Sequence, residues 1–117
     1  MIEERLCSRE VSKLLGEKGF NIPCNNWYYY YACRIWQPTH QMACDWLMIR
    51  GIYICPTYCC FQRHKKYDPP CCKWKPTILS LSSSVPLYPQ PLDMYEYFNT
   101  FGEAVDFCIK YALENLV

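Results

Sequence analysis

Three amphipathic segments, each opened by a Ser or Thr able to cap a helix, punctuate this chain and are separated by stretches with strand-like composition. The first covers residues 8–19. Val11, Leu14 and Leu15 recur there at helical spacing, Ser8 supplies a capping hydroxyl, and Gly19 can end the helix in the left-handed conformation. Phe20 and Ile22 are then expected to fold back onto the same core. The second opens at Pro38-Thr39, with Thr39 as N-cap, Met42, Ala43, Trp46 and Leu47 as the buried stripe, and Gly51 as the stop. The third begins at Thr100-Phe101-Gly102-Glu103, a capping box, and carries Phe101, Ala104, Val105, Cys108, Ala112 and Leu116 as a stripe over about four turns.

The stretches between them predict strands. Asn25-Asn26 reads as a turn before an aromatic strand over residues 27–33. Ile52-Tyr53-Ile54-Cys55 starts another, which Pro56 disturbs before it resumes over 57–62; a proline there suits an edge or a bulge. Asp68-Pro69-Pro70 is a turn, and residues 73–82 form the returning strand, whose end alternates as one buried face requires. Residues 83–91, rich in Ser and Pro, read as a surface loop. The expectation is a single α+β domain over residues 1–117. It has two layers, the order α-β-α-β-β-α and a small, largely antiparallel sheet.

Apolar residues make up 51% and charged residues 20%, with a net charge of +1. This excludes a disordered tail, a strongly basic nucleic-acid arm and a low-complexity chain. No run reaches the ~18 apolar residues of a membrane span, so no membrane association is expected. The first ten residues are charged where a signal peptide is apolar, so the product is expected in the cytosol of its host cell.

Ten cysteines approach the density of disulfide scaffolds. In a reducing cytosol, however, a free Cys behaves as a small buried hydrophobe. Cys44 and Cys108 fall on apolar helical faces, and Cys33 and Cys55 in strand-like runs. The alternative is a structural zinc held among Cys59, Cys60, His64, Cys71 and Cys72, since zinc takes four soft ligands, often in pairs from two turns. The spacing Cys60-x3-His64-x6-Cys71 contains no C-x2-C knuckle, so packing thiols without a cofactor are the expected reading.

Catalysis has little local support. Only His40 and His64 are near-neutral bases, and neither has an orienting carboxylate or a glycine-built oxyanion hole beside it in sequence. His40, at a helix start, is expected to stay neutral against the positive end of the dipole. Nucleic-acid binding has more. Arg63, Lys65, Lys66, Lys73 and Lys75 face one acid, Asp68, a local balance of +4, with His64, Tyr67 and Trp74 interleaved. Cations track phosphates and aromatic faces stack on bases, so this basic aromatic hairpin could grip a single strand. Trp27, Tyr29 and Tyr31 would share a strand face that extends such a platform.

Protein–protein interaction is the reading preferred here. Eleven Tyr and four Trp exceed what one small core needs, and these residues anchor interfaces. Residues 76–117 carry one Lys against five acids, so the chain is electrically polarised and suited to a host protein or to self-association, as in a homodimer.

Three segments together carry a resemblance. They are Val11-Ser12-Lys13-Leu14-Leu15-Gly16-Glu17-Lys18-Gly19-Phe20, Pro38-Thr39-His40-Gln41-Met42-Ala43-Cys44-Asp45-Trp46-Leu47, and Phe101-Gly102-Glu103-Ala104-Val105 through to Leu116. In this order they resemble a family of short uncharacterised proteins of phages and mobile elements of gut anaerobes. The family reads roughly "AKLLKEKGF", "APTQxxxQKWLRE" and "YEEALEAGLxEALKL". Met48-Ile49 stands where that family has a charged pair, and the cysteines of residues 56–84 lie outside its pattern. The resemblance implies the fold and a mobile-element origin, and brings no activity with it because the family has none assigned. The expected function is a small non-enzymatic interaction module, with single-strand binding through residues 63–75 as the alternative.

Overall fold

Hydrogen bonds at three capping residues set where the helices begin. A computed structural model of the chain describes residues 5–61, 71–83, 86–89 and 96–117. The hydroxyls of Ser8, Thr39 and Thr100 accept from the backbone N–H groups of Val11, Met42 and Glu103, each at 3.2 Å. Each cap satisfies an otherwise orphaned donor, at about 1 kcal/mol apiece. From them run α1 (Arg9–Glu17), α2 (His40–Ile49) and α3 (Phe101–Asn115). Gly19 and Gly51, at φ +102° and +82°, turn the chain just beyond α1 and α2, where a side chain would be strained.

The chain is a small α+β fold. Its strands are β1 (Trp27–Tyr30), β2 (Cys33–Trp36), β3 (Ile52–Ile54), β4 (Thr57–Phe61), β5 (Cys71–Lys75), β6 (Ile78–Ser80) and β7 (Pro86–Tyr88). Every pairing among the described residues is antiparallel: β1 with β2, β4 with β5, and β3-β6-β7 as a three-stranded sheet.

Three departures from expectation have physical causes. The aromatic strand expected over 27–33 ends at Tyr30 and turns back, so the segment is a hairpin with Trp27 opposite Trp36 and Tyr30 opposite Cys33. Its turn lacks the Gly or Asn that would announce it; Tyr31 itself adopts φ +55°. The strand expected over 73–82 divides at Pro76 into β5 and β6. The register nevertheless runs through unshifted, Ile54 facing Ile78 on one side and Thr57 facing Lys75 on the other. Pro56 therefore stands opposite Pro76. The Cys55 N–H bonds Thr77 O at 2.9 Å, which places both prolines at non-hydrogen-bonded positions, where a missing N–H costs the pairing nothing. Lastly, β7 forms within the stretch expected to be loop, because Pro86 to Tyr88 extend the sheet edge along β6 and bury Tyr88.

The core lies where the helices meet β3 and β6. Val11, Leu15, Ala43, Trp46, Leu47, Ile52, Ile54, Ile78, Val105, Cys108, Ile109, Ala112 and Leu113 form one buried cluster. Burying each large aliphatic there contributes about 1.5–3 kcal/mol. Phe20 folds back as expected, its N–H on Leu15 O at 2.9 Å and its ring edge-on to Trp46. Ile22 does not; it is exposed, as is Phe101 at the start of α3. Among the described residues, the one buried polar side chain of the core, Ser12, is satisfied by donating its hydroxyl to Ser8 O at 2.8 Å.

Candidate functional site

Two places combine exposed or convergent chemistry: the β1–β2 hairpin and the junction of the chain's first described residues with α2 and α3.

In the hairpin, alternation sends Tyr28 and Tyr30 toward α1. The Tyr28 hydroxyl donates to Arg9 O at 2.6 Å, and Lys13 Nζ lies 4.1 Å from the Tyr30 ring. The opposite face carries Trp27, Tyr29 and Arg34 and, at its inner end, Trp36, which is half-buried against the core. Trp27 and Tyr29 are 49% and 67% exposed, and Tyr31 at the turn is 89% exposed. The Arg34 guanidinium sits 5.6 Å from the Trp27 ring and 5.2 Å from the Trp36 ring. That arrangement holds a cation in the middle of an aromatic surface.

The second place is built from three segments. Residues 5–7 lie antiparallel to 38–40: Cys7 N–H donates to Pro38 O and His40 N–H to Arg5 O, each at 2.9 Å. Gln37 Nε2 adds a 2.9 Å bond to Cys7 O. These bonds set Cys7 beside His40 at the first residue of α2. From the middle of α3, Asp106 Oδ1 reaches His40 Nε2 at 3.3 Å and accepts the Ser8 N–H at 3.0 Å. The Cys7 sulfur, a His40 ring nitrogen and an Asp106 oxygen all lie within 4.8 Å of one another. Above them opens a cleft of about 920 Å³ lined by Arg5, Ser8, His40, Phe98, Glu103 and Asp106.

Burial alone would raise the Asp106 pKa, but the hydrogen bonds from His40 and Ser8 outweigh it and hold the carboxyl below its ordinary range. Burial pushes the Cys7 thiol up, with the Asp106 charge adding to it. A nucleophilic relay needs the opposite, a thiol whose pKa is depressed. It also needs thiol and carboxylate on opposite sides of the imidazole, roughly 7 Å apart when each is in hydrogen-bond reach of its own nitrogen. Here the three groups converge on one point instead.

The orienting carboxylate that sequence neighbourhood denied to His40 is therefore present. It arrives from 66 residues along the chain. A helix N-cap before His40 and an acid on the flank of the α3 stripe were visible, but nothing in one sequence pairs them.

The predicted hairpin residues are only partly described. Arg63, His64, Lys65 and Lys66 lie outside the described residues. Cys59, Lys73, Trp74 and Lys75 stand on β4 and β5, with Cys59 opposite Lys73 and the backbones of Cys60 and Cys72 opposite one another; Cys71 faces Phe61 in the same register. Trp74 is half-buried rather than splayed. Its ring lies 4.9 Å from Tyr58 and 5.0 Å from Phe101, and its backbone exchanges two 2.8 Å bonds with Phe98. Trp74 thus ties the β4–β5 ribbon to the start of α3. No helix among the described residues is long and apolar enough to cross a membrane.

Compared with protein-family models, curated proteins and solved structures, the chain matches none of them.

Proposed function

We propose that this protein is a small non-enzymatic binding module of phage or mobile-element type, which engages a protein of the host cytosol through the outer face of its β1–β2 hairpin. The observation that carries this reading is the exposure of Trp27 and Tyr29 beside Arg34, with Tyr31 standing out at the turn. Aromatic anchors left in water on a paired hairpin represent unrealised contact energy, and Trp, Tyr and Arg dominate interface hot spots. The cation among them favours a partner segment that brings an apolar body and a carboxylate. The resemblance to short mobile-element proteins supports a host protein as that partner.

The test places a photo-crosslinking side chain at position 29 and exposes the protein to host lysate, beside an Arg34→Glu variant carrying the same group. A discrete adduct lost in the variant supports the reading. Adducts no stronger than background, or equally strong in the variant, overturn it. Saturable, steeply salt-dependent binding of a labelled single-stranded oligonucleotide, abolished by Arg34→Glu, would assign the same face to nucleic acid instead.

A further inference from the structure

We propose that Cys7, His40 and Asp106 form a three-ligand site for one zinc ion, with its fourth position open to the cleft between the α2 N-terminus and α3. The geometry carries the argument. At Zn–N and Zn–O distances of about 2.0–2.2 Å, two ligands on a tetrahedron stand about 3.3 Å apart. His40 Nε2 and Asp106 Oδ1 are 3.3 Å apart. The edges to a sulfur ligand are longer, about 3.6 Å at a Zn–S bond near 2.3 Å. All three donor atoms already lie within 4.8 Å of one another, so the Cys7 sulfur, which donates to Thr39 O at 3.8 Å, has at most about 1.2 Å to close to reach that edge.

The donors match a borderline-soft cation. One sulfur, one imidazole nitrogen and one carboxylate oxygen suit zinc, whereas calcium and magnesium take oxygen shells. The ligands are also held before any ion arrives. Cys7 and His40 are fixed by the backbone pairing of 5–7 with 38–40, and Asp106 by the Ser8 amide. A carboxylate has lone pairs enough to keep that amide while binding a metal, and such an outer hydrogen bond orients a ligand. Cys7 is buried beneath the site, while His40 and Asp106 line the cleft, which gives an ion a path in and leaves water as the fourth ligand. Loading releases the Cys7 thiol proton to solvent, and the proton that His40 Nε2 donates to Asp106 leaves that nitrogen, to Nδ1 from a neutral ring or to solvent from a charged one.

The competing account is a plain ion pair between His40 and Asp106 that ties α2 to α3, with Cys7 as filler. Cobalt(II) titration of the full-length reduced protein separates the two. The expected result is one equivalent of cobalt with a sulfur-to-cobalt near-ultraviolet band and tetrahedral visible bands, displaced by one equivalent of zinc. Cys7→Ser abolishes the sulfur band. Asp106→Asn, which keeps the side-chain shape and so controls for folding, weakens binding at least about tenfold. Cys60→Ser with Cys71→Ser leaves both band and affinity unchanged. The proposal is overturned by the absence of saturable binding, by a sulfur band that survives Cys7→Ser, or by one that disappears with the β4–β5 cysteines.

Discussion

Trp27 and Trp36 face each other across the β1–β2 register, ring centroids 6.1 Å apart and planes at 78°, with the Arg34 guanidinium over both. An edge-to-face pair is worth about 0.5–1.5 kcal/mol beyond its burial, and an exposed cation–π contact about 0.5–1 kcal/mol. Arg34 and Trp27 should therefore be coupled. In a double-mutant cycle of Arg34→Ala and Trp27→Ala, urea unfolding should give two single costs whose sum exceeds the cost of the double by about 0.5–1 kcal/mol. Strict additivity would mean that the guanidinium is solvated rather than seated on the ring.

Tyr31 turns the same hairpin at φ +55° with its ring 89% exposed. A non-glycine residue in that region costs about 1 kcal/mol, and Asn tolerates it better than Tyr does. A residue that is strained and largely solvated contributes little to the fold, so its ring is free to make a contact outside the molecule. Tyr31→Asn should raise stability by up to about 1 kcal/mol in chemical denaturation while lowering capture of the partner in the crosslinking assay. Lower stability in Tyr31→Asn would show that the ring's edge-on contact with Tyr30, at 4.7 Å between centroids, outweighs the backbone strain.

The helices were legible because their signals are local. Ser8, Thr39 and Thr100 cap where periodicity placed them, and Ala43, Trp46, Leu47, Ala104, Val105, Cys108 and Ala112 are buried as their spacing required. The hairpin turn at Tyr31 was hidden because it uses none of the residues that usually mark left-handed backbone. Residues 27–33 read as one strand for that reason; Trp27 and Tyr29 do share its exposed face, whereas Tyr31 leaves the strand at the turn. The convergence of Cys7, His40 and Asp106 was the least legible feature. It depends on how α3 lies across the α2 N-terminus, which core packing decides and no local pattern encodes. The zinc set read from Cys59, Cys60, His64, Cys71 and Cys72 falls largely outside the described side chains, while among the described residues Cys7, His40 and Asp106 come together.

Pro56 and Pro76 stand opposite each other with their nitrogens turned away from the pairing. Pro56 leaves the β3–β4 edge without a donor at that point, which blunts it against pairing with another chain. Pro56→Val should therefore change equilibrium stability by less than about 1 kcal/mol, since no ladder bond is gained or lost within the molecule. It should instead increase aggregation on heating, read by light scattering at matched stability. An unchanged onset of scattering would remove the protective role from Pro56.

Buried thiols should make the fold sensitive to alkali. Burial pushes Cys108 up to about 12 and Cys44 up to about 11, while thiols of the unfolded chain ionise near their ordinary value of about 8.5. The folded state then keeps protons that the unfolded state has lost, so stability is full below that ordinary value and falls as pH rises above it. Each such thiol contributes a slope of up to about 1.4 kcal/mol per pH unit until its own folded pKa is reached. Between neutral pH and pH about 10.5, the urea midpoint should fall steadily, and Cys108→Ala should lower the neutral value through lost packing while flattening the slope. Native alkylation at mildly basic pH should mark exposed Cys33 first and leave Cys7 and Cys108 unmodified until the protein unfolds. Early labelling of Cys108, or an unchanged slope in Cys108→Ala, would show that α3 opens locally and that the thiol is not held protonated by the fold.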